Sequence, residues 1–280
     1  MHALVGGWVQ RVRLGGSGLT VSRLCYGTEP FALKKGPDND RGQGDKTPEE
    51  GGRILAEASR LGVNFWDTSE DYGTHPHVTE GLRRVRRGDV VVADKSNAAS
   101  YEEGLEAVRL SLRSLGTDHV DLMFLHNLPW KSVVRRDASD REYRSENLEG
   151  RMGALRAFIE AKGTGEVVAV ALSTHSTKVL REALNVEEVD VVCTPLNMHG
   201  SVMTDGTLEE HLQAIRDLHN AGKGTYVIKV LNAGRYRDDA EACMRYVLGY
   251  RDFIDAWNIG MYDIADVKRN VALFSEVLCG

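Results

Sequence analysis

The sequence predicts an α/β fold, a (β/α)8 TIM barrel entered through an N-terminal β-hairpin, and three observations carry that expectation. Short apolar runs alternate with amphipathic helical patterns from residue 24 to the C-terminal end. Some runs, such as residues 167–172, are apolar at nearly every position, which suits strands covered by helices in a parallel sheet. About eight strand–helix units can be counted, the number that closes a parallel barrel without leaving an edge. With 280 residues the chain suits one domain, 1–280, of this kind, since such barrels take about 250 residues.

The elements follow in order. Residues 10–14 and 19–24 flank Gly15, Gly16, Ser17 and Gly18, and the segment of about 10–23 reads as a hairpin plugging the N-terminal end of the barrel. Leu24–Gly27 is the first barrel strand. Thr47, Pro48 and Glu50 form a capping box with Pro at the first helical position, and Ile54, Leu55, Ala58 and Leu61 give that helix its apolar face before Gly62 stops it. Strands at 63–66 and 90–93 come next. Ser100 with Glu103 opens a helix whose Leu105, Val108, Leu112 and Leu115 share one stripe, and Gly116 leads on to Val120–Leu125. A helix at 155–162 closed by Gly163, the strand 167–172, a helix at 177–184 and a strand at 189–193 continue the alternation. Thr207 and Glu210 cap a helix ending at Gly222, and a strand at 226–231 follows. A helix at 239–248, a short strand at 253–259 and a helix at 263–277 complete the series. An open doubly wound sheet would call for a Gly-x-Gly-x-x-Gly turn after an early strand, and none follows one.

Composition narrows the partners. A formal net charge of −6 argues against a general polyanion binder, so nucleic acid is not expected. No stretch approaches the roughly 18 apolar residues of a membrane span, and the first residues lack the long apolar core of a signal peptide. The expected location is the cytoplasm, away from membranes. Cys25, Cys193, Cys243 and Cys279 are far apart and form no Cys-x-x-Cys pair, so reduced thiols and no metal ligand set are expected. His75 and His77 flank Pro76 without a nearby third ligand and read as a polar loop. The basic run at Arg83, Arg84, Arg86 and Arg87 reads as a solvated helix end. Polar loops at 34–46 and 131–147, with Trp130, are expected on the rim of the catalytic face.

Four polar residues follow or end the predicted strands: Asp67, Tyr72, Lys95 and His126. In a parallel sheet the C-terminal strand ends share one face, so the four can converge there. Together they are the parts needed to move a proton onto a carbonyl oxygen.

The segments 13–22 (RLGGSGLTVS), 64–73 (NFWDTSEDYG), 121–126 (DLMFLH) and 170–175 (VALSTH) resemble the aldo-keto reductase superfamily, and the likeness extends over nearly the whole chain. It implies a barrel with an N-terminal hairpin that reduces an aldehyde or ketone, a small-molecule carbonyl substrate, with NADPH or NADH. It also implies that Tyr72 is the general acid, that Lys95 and Asp67 tune it, and that His126 positions the carbonyl. A phenol near pKa 10 transfers its proton poorly at neutrality, and an adjacent Lys95 ammonium is expected to lower that value, with Asp67 holding Lys95.

Cofactor positions follow by the same resemblance. Gly27 ends the first barrel strand and Thr28 follows it, and Leu231 ends the strand at 226–231 with Gly234 beyond it. Ser173 and Thr174 match a Ser-Asn pair that holds the carboxamide, Cys193 takes the place of the carboxamide Gln, and Ile228 that of the aromatic stacking on nicotinamide. In the clamp for the 2′-phosphate, Gly260 and Met261 replace Lys and Ser, Asp266 replaces Arg, and Asn270 is kept. Asp266 would repel a phosphate and accept a bond from a free ribose hydroxyl, which favours NADH, whereas Lys268 or Arg269 could swing in for NADPH. Two alternatives stay open: a barrel lyase or aldolase using Lys95 as a Schiff-base amine, and a cofactor-poor barrel with a binding or regulatory role.

Overall fold

A computed structural model of the chain describes residues 9–31, 44–136 and 142–279. Eight parallel strands close into a barrel in the order β3 (Leu24–Gly27), β4 (Phe65–Asp67), β5 (Val91–Ser96), β6 (Val120–Leu125), β9 (Val167–Ser173), β10 (Val191–Pro195), β11 (Gly224–Ile228) and β12 (Ala256–Gly260). Closure is made by β12 on β3, which pairs Trp257 with Leu24 and Gly260 with Gly27. The helices on the outside are α1 (Pro48–Arg60), α2 (His75–Leu82), α3 (Tyr101–Leu115), α4 (Met152–Thr164), α5 (Thr177–Ala183), α6 (Leu208–Asn220), α7 (Ala240–Leu248) and α8 (Ile264–Cys279).

The expected hairpin is formed by β1 (Arg11–Arg13) and β2 (Thr20–Ser22), which pair antiparallel with Val12 opposite Val21. Leu14 and Val21 are fully buried and join the barrel interior with Cys25, Phe65, Phe124, Cys193 and Tyr226. Gly15 sits at φ +50, and a Cβ there would lie 2.2 Å from the backbone nitrogen of Gly224, so the turn seats directly on the start of β11. A second core, with Trp66, Phe158 and Trp257, fills the space between barrel and helices.

Capping chemistry fixes three helix starts. Thr47 with Glu50, Ser100 with Glu103 and Thr207 with Glu210 each make both halves of the reciprocal box. At the end of α4 the expected stop is displaced: Gly163 remains helical, and Gly165, at φ +86, is the left-handed cap. Strand bounds also shift toward the C-terminus. The apolar runs at 63–66, 90–93 and 189–193 begin with Val63, Val90 and Val189, which are buried but precede β4, β5 and β10. Strand β5 instead runs on through Asp94, Lys95 and Ser96, polar residues kept in the sheet because each has a buried partner. Strand β11 stops at Ile228, where Lys229 turns to φ +58.

The segment 131–147, read from sequence as a polar loop, holds a second hairpin of β7 (Val133–Arg136) and β8 (Glu142–Ser145), which pair antiparallel outside the barrel. Of the loop expected at 34–46, residues 34–43 lie outside the described residues.

Candidate active site

The C-terminal strand ends bring the four polar residues together. Asp67 ends β4 beside Gly27 of β3 and Ala93 of β5. From β5, Lys95 Nζ donates to Asp67 Oδ1 at 2.5 Å and to the Thr68 carbonyl at 2.7 Å. Both side chains are only 2% exposed. The other carboxylate oxygen of Asp67 accepts from the Tyr226 hydroxyl at 2.8 Å, so this buried charge is bonded on both sides. Tyr72 lies with its ring 5.1 Å from Lys95 Nζ and meets the His126 ring edge-on at 6.0 Å between centroids.

The electrostatics correct one expectation. Tyr72 is half-buried, and burial, followed by the negative charge of Asp67 and then that of Glu29, raises its phenol well above the usual value. Burial and the neighbouring carboxylates outweigh any lowering from Lys95, whose ammonium is bonded to Asp67. Burial likewise lowers His126 below the ordinary histidine value, with Asp71 opposing and Lys95 reinforcing.

Several braces hold this face. Thr28 Oγ1 donates to the Asp67 carbonyl at 2.8 Å and meets Thr74 Oγ1 at 2.8 Å, and Thr74 in turn meets Thr68 Oγ1 at 2.7 Å. Buried Asp94 binds His75 Nε2 at 3.0 Å and the Lys95 amide at 2.9 Å, with the Ser111 hydroxyl on its second oxygen. Arg151, 2% exposed, spreads its guanidinium over three carbonyls, those of Ala98 at 2.7 Å, His126 at 2.7 Å and Ser96 at 2.5 Å. It thereby ties the end of β5 to the residue after β6.

A cleft of about 600 Å³ runs from Asp67 and Tyr72, past Ile228 and Leu231, to Asp266, Arg269 and Asn270 on α8, a size within the usual range for ligand sites. Gly27, Leu231, Gly234, Asp266 and Asn270 line it. At Gly27 a Cβ would fall 2.4 Å from Asn258 Oδ1, so glycine keeps the floor open. Asn232, Ala233 and Gly234 take φ values of 44, 57 and 91 in succession. Left-handed backbone at non-glycine residues costs about 1–3 kcal/mol each and concentrates at ligand sites.

Thr28, Ser173, Thr174 and Cys193 sit off the cleft wall. Ser173 Oγ accepts from the Asn127 amide at 2.8 Å, and Thr174 Oγ1 donates to the Leu128 carbonyl at 2.7 Å, so both brace the loop after His126. Cys193 lies fully buried in the barrel interior, where burial pushes its thiol up to about 12.

At the far end Asp266 is already occupied. Its carboxylate accepts from the Tyr262 amide at 3.0 Å and pairs with Arg269. Lys268 is exposed and off the wall, whereas Arg269 is on it. Glu29 and Lys229 face each other across the cleft at 3.4 Å.

Sequence reasoning missed Tyr226, Arg151, Asp71 and the Glu29–Lys229 pair. Tyr226 is two residues before Ile228 on β11 and so points to the same interior side, a signal available from period alone. Nothing in the sequence around Arg151 marks it. Among the described residues His75 and His77 bind Asp94 and the Lys46 carbonyl, and no group of three His, Cys, Asp or Glu is placed to hold a metal ion. Trp130, 38% exposed, stacks under Lys178 Nζ at 3.6 Å. Among the described residues no helix is long and apolar enough to cross a membrane.

Comparison with known proteins bears on the family and the fold. The model of the Aldo/keto reductase family matches residues 23–246. L-galactose dehydrogenase of Arabidopsis thaliana is 31% identical over 133 residues, 43% of this chain and 39% of that protein. Aldo-keto reductase yakc [NADP(+)] of Schizosaccharomyces pombe is 27% identical over 191 residues, 62% of this chain and 48% of that one. The chain thus spans less than half the length of these curated relatives. A Pseudomonas aeruginosa structure ascribed to the aldo-keto reductases superimposes with a TM-score of 0.76 at 23% identity, covering 99% of this chain and 100% of the other. A Bombyx mori aldo-keto reductase in complex with NADP gives 0.69 at 14% identity, covering 97% and 92%. With the family model matched over most of its length, and with its hairpin and closed eight-stranded barrel, the chain belongs to the aldo/keto reductase family.

Proposed function

We propose that the protein is a nicotinamide-dependent oxidoreductase that interconverts a small aldehyde or ketone with its alcohol, Tyr72 acting as the acid. One observation carries the reading: Tyr72 and the Lys95–Asp67 pair stand at one end of a single cleft that continues to α8. A reduced nicotinamide, when bound, supplies hydride to the carbonyl carbon. Gly27, Leu231 and Gly234 would meet it along the cleft, with Asp266, Arg269 and Asn270 at the adenosine end.

The chain's own groups supply the proton and the field. The raised phenol holds its proton until negative charge develops on the substrate oxygen, and then gives it up. Lys95, fixed by Asp67 and Thr68, stands beside the phenolate that results and stabilises it. The lyase alternative is disfavoured by the same contacts, since a buried amine nitrogen engaged by Asp67 and the Thr68 carbonyl is not free to attack a carbonyl carbon.

Coenzyme choice turns on the Asp266–Arg269 pair. As it stands, Asp266 suits a free ribose hydroxyl and NADH. NADPH requires Arg269 to leave Asp266 and meet the phosphate, so NADH is the favoured coenzyme.

Replacing Tyr72 by Phe tests the assignment. Across a panel of aldehydes, kcat should fall by about 10²–10⁴, while coenzyme affinity measured by fluorescence stays close to that of the parent. A Tyr72→Phe enzyme with full turnover would remove the proposed mechanism.

A further inference from the structure

His126 has a specific partner in the residue that precedes Tyr72. Its Nδ1 lies 3.2 Å from Asp71 Oδ2 and 3.3 Å from Ser69 Oγ. An ionised carboxylate accepts hydrogen bonds and donates none. Asp71 is kept ionised, since the bond to His126 lowers its pKa, and Asn97 Nδ2 donates to the same oxygen at 2.6 Å. Ser69 Oγ, whose hydroxyl can donate or accept, accompanies the ring without deciding its tautomer. The ionised acceptor Asp71 beside Nδ1 places the N–H there, and in a neutral imidazole that uses the single proton.

We propose that Asp71 is a positioning residue that fixes His126 as the Nδ1–H tautomer, so that the neutral ring offers the substrate oxygen an acceptor at Nε2 and becomes a donor there only when charged. The catalytic meaning rests on the oxidoreductase reading above. In neutral form His126 then holds the hydroxyl of an alcohol, which can donate to Nε2, and in charged form it holds a carbonyl, which cannot donate. The alcohol hydroxyl has one proton, so in oxidation it must turn from Nε2 to an ionised Tyr72 as hydride leaves, and in reduction Tyr72 gives the proton to the carbonyl oxygen. The groups facing the ring are Asp71 and Tyr72 from the segment before α2, Lys95 from β5, Arg151 ahead of α4 and His175 beyond β9. Burial, Lys95 and Arg151 together outweigh Asp71, so the ring is neutral at and above neutral pH.

The test is long-range proton–nitrogen NMR of full-length protein labelled with ¹⁵N-histidine, with His126 identified by the signal lost in His126→Gln. At pH 7.5 the parent should show the Nδ1–H form dominant by about tenfold or more, as a charge-assisted bond to one nitrogen requires. Asp71→Ala, a change at a side chain 51% exposed, should raise the Nε2–H fraction and move the ring's titration to lower pH. An Nε2–H ring in the parent, or an unchanged tautomer ratio in Asp71→Ala, overturns the proposal. Absence of nicotinamide binding would instead overturn the oxidoreductase reading and leave the tautomer result standing.

Discussion

Arg151→Met removes the guanidinium that joins the carbonyls of Ser96, Ala98 and His126 while keeping a long apolar stem. Burial lowers the pKa of Arg151 to about 10, so the charge sits there at a cost of a few kcal/mol. Against that stand three hydrogen bonds from a charged donor, about 1.5–3 kcal/mol each. After the change the carbonyls of Ala98 and His126 lose this partner while that of Ser96 keeps the His126 amide at 2.9 Å, a penalty of about 1–3 kcal/mol for each left where water cannot reach. The net expectation is a loss of about 3 kcal/mol, a large share of a typical total of about 5–15 kcal/mol. For a chain of this size that is about 5 °C in Tm. Urea unfolding of parent and variant side by side, read by fluorescence, measures it. Arg151→Lys should recover little, because one ammonium cannot span three carbonyls set around a planar fork. A loss below about 1 kcal/mol in Arg151→Met would refute the reasoning, since the bonds would then be no better than those water provides.

Other outcomes follow from the same geometry. Gly27→Ala should weaken coenzyme binding by about tenfold or more, a cost of about 1.4 kcal/mol, because its Cβ would fall 2.4 Å from Asn258 Oδ1; a fluorescence titration reads this. Asp266→Asn frees Arg269 for the 2′-phosphate and should raise the affinity for NADPH relative to NADH, which parallel titrations of the two coenzymes measure. His75→Gln tests the brace under Lys95. Burial opposes charging of His75, yet the bond and charge of Asp94 outweigh it, so its folded pKa is raised. Its contribution is therefore complete below the unfolded value of about 6.5 and is lost as pH climbs through the raised value. Asp94, lowered by His75 and Ser111 against burial, contributes above its unfolded value of about 3.9 and loses that as pH falls. The variant should therefore lose most stability between about pH 4 and 6.5, and least at pH 9, in Tm measured across pH.

Much of this was legible in the sequence because the local signals agree with the fold. The capping boxes at Thr47, Ser100 and Thr207 fix helix starts, and the apolar runs fix which strands are covered on both faces. Strand ends were misplaced where hydrophobicity and hydrogen bonding part company. Val63 is buried outside the sheet, and Lys95 is buried within it only because Asp67 and Thr68 lie within reach. Such pairing depends on residues 27 or 28 positions apart and has no local signature. The hairpin β7–β8 was missed because its strands are short and the apolar residues Val133 and Val134 are exposed, Val134 at 67%. That Tyr72, Lys95, Asp67 and His126 come together was readable from their positions at strand ends. The direction of the Tyr72 shift was not, since it is set by burial and by the charges of Asp67 and Glu29, which only the fold brings around the ring. The reading of Asp266 as a lone carboxylate likewise gave way to its pairing with Arg269, one turn along α8.

The most direct test of the central claim is a titration of the parent protein and Tyr72→Phe with NADH and NADPH, followed by tryptophan fluorescence, with turnover measured on the same samples. The account predicts that both proteins bind, with NADH tighter than NADPH, and that only the parent turns over. Absence of binding by either coenzyme at about millimolar concentration, a level at which only about 4 kcal/mol of interaction is required, would contradict it.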